Sequence, residues 1–181
     1  MKCALIAFCA GWCLTVSVAQ TANRAIVSAK PDLSGTWAFD LSKSDIGSRK
    51  GSPLYDELTL TILHREPELQ VVRLLKRKEH ETTQRLVYYT DKRGESNPTI
   101  DGGNKVKSKT HWEGSVLVSI GTVYQDIPFG YAARETTETW ELAPDGNTLK
   151  QISSVKVTFI INETINQASP LKIVKVFQKR P

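Results

Sequence analysis

The sequence predicts an all-β protein, an antiparallel up-and-down meander of about eight or nine strands that closes into a barrel. Three observations support this prediction. Runs of alternating apolar and polar residues recur along the chain, β-branched and aromatic residues are frequent within them, and Gly, Pro, Asn and Asp interrupt the chain too often for long helices. A two-sheet β-sandwich is the alternative, because strand alternation does not distinguish these two folds.

The N-terminus has the layout of a secretory signal peptide: Lys2 precedes an apolar run, and the small residues Ser17 and Ala19 follow it. The run is shorter than the roughly 20 apolar residues that a membrane span needs. We therefore expect residues 1–19 to be a signal peptide, residues 20–31 a flexible tether, and residues 32–181 a single β-barrel domain. Such a protein is exported, to the periplasm or the extracellular medium of a bacterium.

All three cysteines, Cys3, Cys9 and Cys13, lie within the predicted leader. The mature chain then has no thiol, which excludes a disulfide framework and thiol catalysis. About 160 residues remain, which is enough for one hydrophobic core to stabilise the domain.

The predicted strands follow one another along the domain with short connections, so consecutive strands are expected to pair antiparallel. They cover residues 35–41, 57–62, 68–75, 81–90, 105–113, 115–124, 133–142, 148–160 and 171–178. The segments PDGN (144–147) and KRKE (76–79) predict tight turns. Residues 42–55 are expected to form an irregular insertion between the first two strands.

The strand at residues 105–113 shows the clearest alternation. Val106, Ser108, Thr110 and Trp112 share one face, and charged residues occupy the other. A solid core favours Val, Ile or Leu on the inner face, whereas small polar residues leave room for a ligand. Candidate ligand-binding residues are therefore those that combine aromatic and small polar character on inner faces: Trp112, Trp140, Thr110 and Tyr88. The alternative is that the aromatic side chains only fill the core.

A basic cluster, Lys76, Arg77 and Lys78, lies at a predicted hairpin, with Arg73 and Arg85 nearby. Clustered positive charge can bind anions, so these three residues form a candidate anion patch. Charged hairpin tips also serve solubility and protect sheet edges.

Motifs for catalysis or metal binding are absent from the sequence. There is no G-x-S-x-G element, and His64, His80 and His111 lack the spacing of metal ligands. On one predicted strand Glu138 points away from Glu135 and Glu141, so no pair of carboxylates converges. We therefore expect no catalytic residue, no metal site and no cofactor.

Charge and composition limit the possible partners. The formal net charge of +5 is modest, and aromatic residues do not alternate with basic ones as they do on nucleic-acid-binding surfaces. With export, this argues against a nucleic-acid partner. No later segment is apolar enough to predict a transmembrane span.

Three segments resemble a family of small exported bacterial lipocalin-like proteins: DLSGTWAFDLSKSDIG (32–47), KSKTHWEG (107–114) and ETWELAPDGNTL (138–149). Gly35-Thr36-Trp37 is similar to the G-x-W signature of the lipocalin and calycin group, although the T-D-Y element of typical lipocalins is absent. The resemblance implies a barrel closed at one end by Gly35 and Trp37 beneath a basic side chain near the C-terminus. Lys179 and Arg180 are the candidates for that side chain, and we expect Arg180 to take part in the closure.

The leading functional hypothesis is an exported, non-enzymatic β-barrel that binds a small, largely apolar molecule in its interior. A second hypothesis is an envelope-associated interaction module that acts through the basic cluster. An enzyme with an unrecognised site is the third, and it has no motif to support it.

Overall fold

A computed structural model describes residues 30–47, 55–99, 103–162 and 164–181. The predicted signal peptide and all but the last two residues of the predicted tether lie outside the described residues. The described residues form eleven antiparallel strands. Their bounds are β1 (Gly35–Asp45), β2 (Glu57–Arg65), β3 (Glu68–Arg77), β4 (His80–Tyr89), β5 (Glu95–Pro98), β6 (Lys105–Glu113), β7 (Val116–Ile127), β8 (Gly130–Leu142), β9 (Thr148–Ile161), β10 (Thr164–Gln167) and β11 (Leu171–Lys179).

The strands form one sheet in the order β4-β3-β2-β1-β11-β9-β8-β7-β6-β5, and β10 pairs with β9 outside this path. Pairing of β1 with β11 brings the two ends of the domain together, with Trp37 opposite Lys179 and Phe39 opposite Phe177. The sheet curls into a nearly closed barrel of ten strands, and this confirms the predicted barrel over the β-sandwich.

The two edge strands, β4 and β5, meet at a seam that side chains bridge. The Val87 N–H donates to Asn97 Oδ1 and Asn97 Nδ2 donates to the Val87 carbonyl oxygen, both at 2.8 Å. Gln84 Nε2 donates to the Thr99 carbonyl oxygen at 2.7 Å. The amide side chains thus satisfy backbone groups that a strand ladder would otherwise satisfy.

All nine predicted strands are present. The two that the sequence did not predict, β5 (ESNP) and β10 (TINQ), have four residues each and are polar, so neither shows the alternation that identifies a strand. The predicted insertion at residues 42–55 is partly wrong, because β1 continues to Asp45 after an irregularity between Asp40 and Asp45. The predicted turns lie between β3 and β4 and between β8 and β9.

The hydrophobic core fills one end of the barrel, which we call the packed end. Alternate residues of the strands point inward there and are buried. The fully buried side chains include Leu33, Trp37, Leu69, Val71, Leu117, Trp140, Leu149 and Phe177. We call the other half of the barrel the cavity end. It contains the last residues of β3 and β9, Arg77 and Ile161, and the first residue of β8, Gly130.

Trp37 closes the packed end. Its indole Nε1 donates to the Leu33 carbonyl oxygen at 3.0 Å, and Lys179 Nζ lies 5.3 Å from the ring centroid, within the range of a cation–π interaction. A Cβ at Gly35 would come within 2.8 Å of Lys179 Cε, so glycine leaves room for this lysine. Of the two basic candidates, Lys179 therefore covers the indole, while the Arg180 N–H donates to the Thr36 carbonyl oxygen at 2.8 Å.

No helix in the described part of the chain has the length and apolar character needed to cross a membrane.

Candidate functional site

A cavity of about 430 Å³ occupies the barrel interior beyond the packed core. That volume lies within the range of small-molecule sites. Inward-facing residues from β3 to β9 and from β11 line the cavity, because alternation places every second side chain inside. Gly121 contributes to this space: a Cβ there would come within 2.6 Å of Val106 Cγ1.

Most of the cavity wall is apolar or weakly polar. Its apolar and aromatic residues are Ile46, Tyr55, Leu86, Tyr88, Pro98, Val106, Val155, Val157, Leu171 and Ile173. Hydroxyl and amide groups are contributed by Asn97, Thr99, Ser108, Ser119, Thr136 and Ser153. A wall of this kind can surround a hydrocarbon body and hydrogen-bond to a few polar atoms.

Four charged side chains also line the cavity: Arg73, Arg134, Glu138 and Lys175. Glu138 accepts hydrogen bonds from Gln151 Nε2 at 3.3 Å and from Ser153 Oγ at 3.2 Å. Lys175 Nζ donates to Gln151 Oε1 at 3.5 Å. Gln151 thus connects the lysine to the carboxylate within one hydrogen-bonded group.

The buried environment shifts the proton affinity of these groups. Burial lowers the pKa of Lys175 to about 8; Glu138 opposes this shift and Arg73 adds to it. Burial also raises the pKa of Tyr88, and the negative charge of Glu138 raises it further. The Lys175 amine therefore changes charge near pH 8 and is positive below it.

Positive groups outnumber negative ones in the cavity wall. The lining residues described include three cationic side chains, Arg73, Arg134 and Lys175, and a single carboxylate, that of Glu138. An anionic group on a ligand would offset the excess positive charge, which is costly in a half-buried site. The cavity can thus hold a largely apolar molecule with one anionic end.

Of the four ligand-binding residues predicted from sequence, Tyr88 lines the cavity. Trp140 lies behind it in the packed core, with the two rings edge to face at 5.7 Å. Thr110 is fully buried, and its Oγ1 donates to Glu95 Oε1 at 2.6 Å. These three residues belong to one region of the interior, but Trp140 and Thr110 are buried beside the cavity and do not line it.

Trp112 lies apart from the cavity, at the packed end. Its Nε1 donates to Glu66 Oε1 at 2.6 Å, and its ring lies 5.8 Å from that of His64. The sequence indicated its inward face but not its depth along the barrel, since alternation carries no information about which end of a strand is filled.

Sequence reasoning missed Arg73, Glu138 and Lys175 as cavity residues. A signal for each was present, because each occupies an inward position of its strand. Arg73 follows Leu69 and Val71 at a spacing of two, Glu138 precedes Trp140, and Lys175 stands between Ile173 and Phe177. A charged residue within an inward-facing apolar series indicates a polar interior site.

In the basic cluster, Lys76 and Arg77 are the last two residues of β3 and Lys78 lies in the turn that follows, and all three are exposed. Carboxylates stand close to it: Lys76 Nζ is 3.7 Å from Glu57 Oε1, and Glu81 lies opposite Lys76 on β4. The positive charge of the turn is therefore partly offset. Within the described residues, no three acidic, histidine or cysteine side chains come together as metal ligands would.

Neither protein-family models nor curated protein sequences give a match to this chain. Among solved structures, a fatty acid transporter, REP1-NXSQ, superposes with a TM-score of 0.51 at 13% identity, covering 83% of this chain and 97% of the transporter. A zebrafish ileal bile acid-binding protein complexed with cholic acid gives a TM-score of 0.49 at 16% identity, covering 81% of this chain and 98% of that protein. Lipid-binding protein 8 from Caenorhabditis elegans gives a TM-score of 0.49 at 14% identity, covering 81% of this chain and 94% of that protein.

The fold is that of a calycin-like barrel. At these identities the likeness concerns the architecture alone, and the chemistry of the site rests on this chain's own residues.

Proposed function

We propose that this protein binds a small, largely apolar molecule carrying an anionic group, with the apolar part enclosed in the barrel. The observation that carries the proposal is the interior cavity of about 430 Å³. Most of its wall is apolar or weakly polar, and three cationic side chains and one carboxylate also line it. Burial of hydrocarbon supplies about 25 cal/mol per Å² of binding free energy. The charged groups orient the anionic end. That a fatty acid transporter, REP1-NXSQ, has the same fold supports this class of ligand.

The proposal includes the export and the absence of catalysis expected from the sequence. The layout of residues 1–19 supports export, and the lack of a nucleophile or acid-base motif supports binding without chemistry. Mass spectrometry of the protein secreted by a bacterial host, with Gln20 as the expected N-terminal residue, tests the export.

Fluorescence titration with anilinonaphthalene sulfonate, an apolar dye with a sulfonate group, tests the binding. We expect a saturable signal from the wild-type protein. Val155→Trp places an indole in the cavity and should weaken the binding at least about tenfold. Ser154→Trp is the matched control, since Ser154 is the neighbouring exposed residue and faces outward.

Equal dye affinity in wild type, V155W and S154W would contradict binding in the cavity. Competition separates the two parts of the proposal: a fatty acid should displace the dye better than the alcohol of the same chain length. If both displace it equally, the anionic group plays no part in recognition. Mass spectrometry of gently purified protein would then identify any bound molecule directly.

A further inference from the structure

An exposed group of apolar side chains lies at the cavity end, around the turn between β7 and β8. Phe129 is 81% exposed, Tyr124 69% and Ile165 64%, and Tyr131 and Ile161 are exposed to a lesser extent. We call these five residues the apolar tip. The Tyr124 and Tyr131 rings lie 6.2 Å apart, and strand pairing joins Ile165 to Ile160 and Ile160 to Tyr131. Contiguous exposed apolar surface of this kind indicates an interaction site.

Phe129 is unusual in conformation as well as in exposure. It follows Pro128 in the two-residue connection between Ile127 and Gly130, and its φ is 65°. Gly or Asn normally occupies such a position, because a left-handed conformation costs other residues roughly 1–2 kcal/mol. At 81% exposure, Phe129 recovers little of this cost through burial within the chain. Its presence is accounted for if the side chain is buried against a partner.

Basic residues flank the apolar tip on the outer face of the neighbouring strand. Lys105, Lys107 and Lys109 are exposed on β6, and we call them the lysine row. Strand pairing places Lys107 opposite Thr122 and Lys109 opposite Ile120, so the row lies beside the outward face that carries Tyr124. On the same face Lys156 lies opposite Glu135, and Asp126 lies opposite Tyr131. Around the apolar tip, the lysine row and Lys156 thus outnumber the two neighbouring carboxylates, Glu135 and Asp126.

The apolar tip and the cavity share the same strands. β8 runs from the tip at Gly130 through the cavity residues Arg134 and Glu138 to the packed core at Trp140. The tip therefore projects from the half of the barrel that holds the cavity.

We propose that the apolar tip and the lysine row dock this protein on an anionic lipid surface, with Phe129 inserted among the acyl chains. Aromatic side chains suit the membrane interface, and each lysine near an anionic bilayer adds to the attraction. Charge complementarity favours lipid over a second copy of this chain. In a symmetric dimer the same patch would face itself and bring the two lysine rows together.

Flotation of the full-length mature protein with phospholipid vesicles tests the docking. Vesicles of phosphatidylcholine containing phosphatidylglycerol should bind the wild-type protein, and pure phosphatidylcholine vesicles should bind it at least about tenfold more weakly. Phe129→Asn should lower the vesicle partition coefficient about tenfold without lowering the melting temperature, because asparagine accepts a positive φ. If Phe129 had a structural role instead, its replacement would lower the melting temperature.

Lys107→Glu with Lys109→Glu should lower the partition coefficient at least about tenfold. Arg65→Glu with Arg85→Glu is the matched control, since both arginines are exposed and lie on β2 and β4, away from the tip. Dye binding in the cavity should be unchanged in all these variants, which separates docking from the proposed ligand binding. Unaltered flotation of F129N, equal binding to neutral vesicles, or a dimer in sedimentation that F129N dissociates would overturn the docking proposal.

Discussion

A single carboxylate, Glu66, connects four separate parts of the packed end. It accepts hydrogen bonds from Thr90 Oγ1 and Trp112 Nε1, both at 2.6 Å, from His64 Nε2 at 3.1 Å and from Lys30 Nζ at 3.2 Å. Partial burial acts to raise the pKa of Glu66, but these hydrogen bonds outweigh it and hold the pKa at about 2. The ionised form is therefore favoured by the fold.

Replacement of Glu66 by glutamine tests this residue. Because the folded state lowers the pKa, the ionised carboxylate stabilises the fold above its usual pKa of 4.5, and this contribution is lost as the pH falls toward 2. Since 37% of the side chain is exposed, water screens the interaction, and we expect E66Q to cost about 1 to 2 kcal/mol at pH 7. Urea unfolding between pH 2 and 7 measures it. E66Q should show a flatter pH profile than the exposed control Glu81→Gln, and parallel profiles would contradict the assignment.

At the scale of the elements, the seam between β4 and β5 is the weak point of the barrel. The other neighbours in the sheet order are joined by backbone ladders, whereas this pair depends on the amides of Asn97 and Gln84. The two hydrogen bonds between Asn97 and Val87 reproduce with a side chain what one residue pair of a ladder supplies. A four-residue strand with a proline can thus close the barrel.

Asn97→Ala should open this seam locally. The substitution leaves the N–H and carbonyl of Val87 without their partners, and we expect a loss of about 2 to 3 kcal/mol in the free energy of unfolding. Amide hydrogen exchange of Val87 should accelerate in step with this loss. Ser96→Ala, at an exposed position of the same strand, should change neither quantity by much. If N97A were as stable as S96A, closure through Asn97 would be refuted.

At the scale of the whole molecule, the barrel has a packed half and an open half along its axis. The packed end is filled by Trp37, Trp140 and Phe177. The other half keeps its interior open and brings together charges from β3, β8 and β11, at Arg73, Glu138 and Lys175. The packed end stabilises the strands that continue into the cavity end, so the cavity end needs no hydrophobic core of its own.

Binding of an anionic ligand should depend on pH because Lys175 titrates inside this cavity. The pKa of Lys175 is lowered to about 8, so the amine is charged below that pH and neutral above it. Dye affinity should fall about threefold to tenfold as the pH rises from 7 to 9. Lys175→Met should abolish this dependence, whereas Lys172→Met, at an exposed position of the same strand, should retain it. A pH dependence that persists in K175M would assign it to another group.

The sequence by itself determined the features that depend on neighbours along the chain. Alternation with period two is a local signal, so it predicted nine strands and the inward faces of Ser108 and Thr110, both buried in β6. The turns after Lys76 and Pro144 followed from local chemistry in the same way. The resemblance around Gly35 and Trp37 added the closed end of the barrel.

Only the tertiary structure decided which inward-facing residues fill the core and which surround a cavity. Arg73, Glu138 and Lys175 are far apart in the chain, and their meeting depends on the curvature and closure of the sheet, to which every strand contributes. The seam at Asn97 and the apolar tip at Phe129 likewise depend on which strands end beside each other. Alternation states the side of the sheet on which a residue lies, but its depth along the barrel axis is a property of the whole fold.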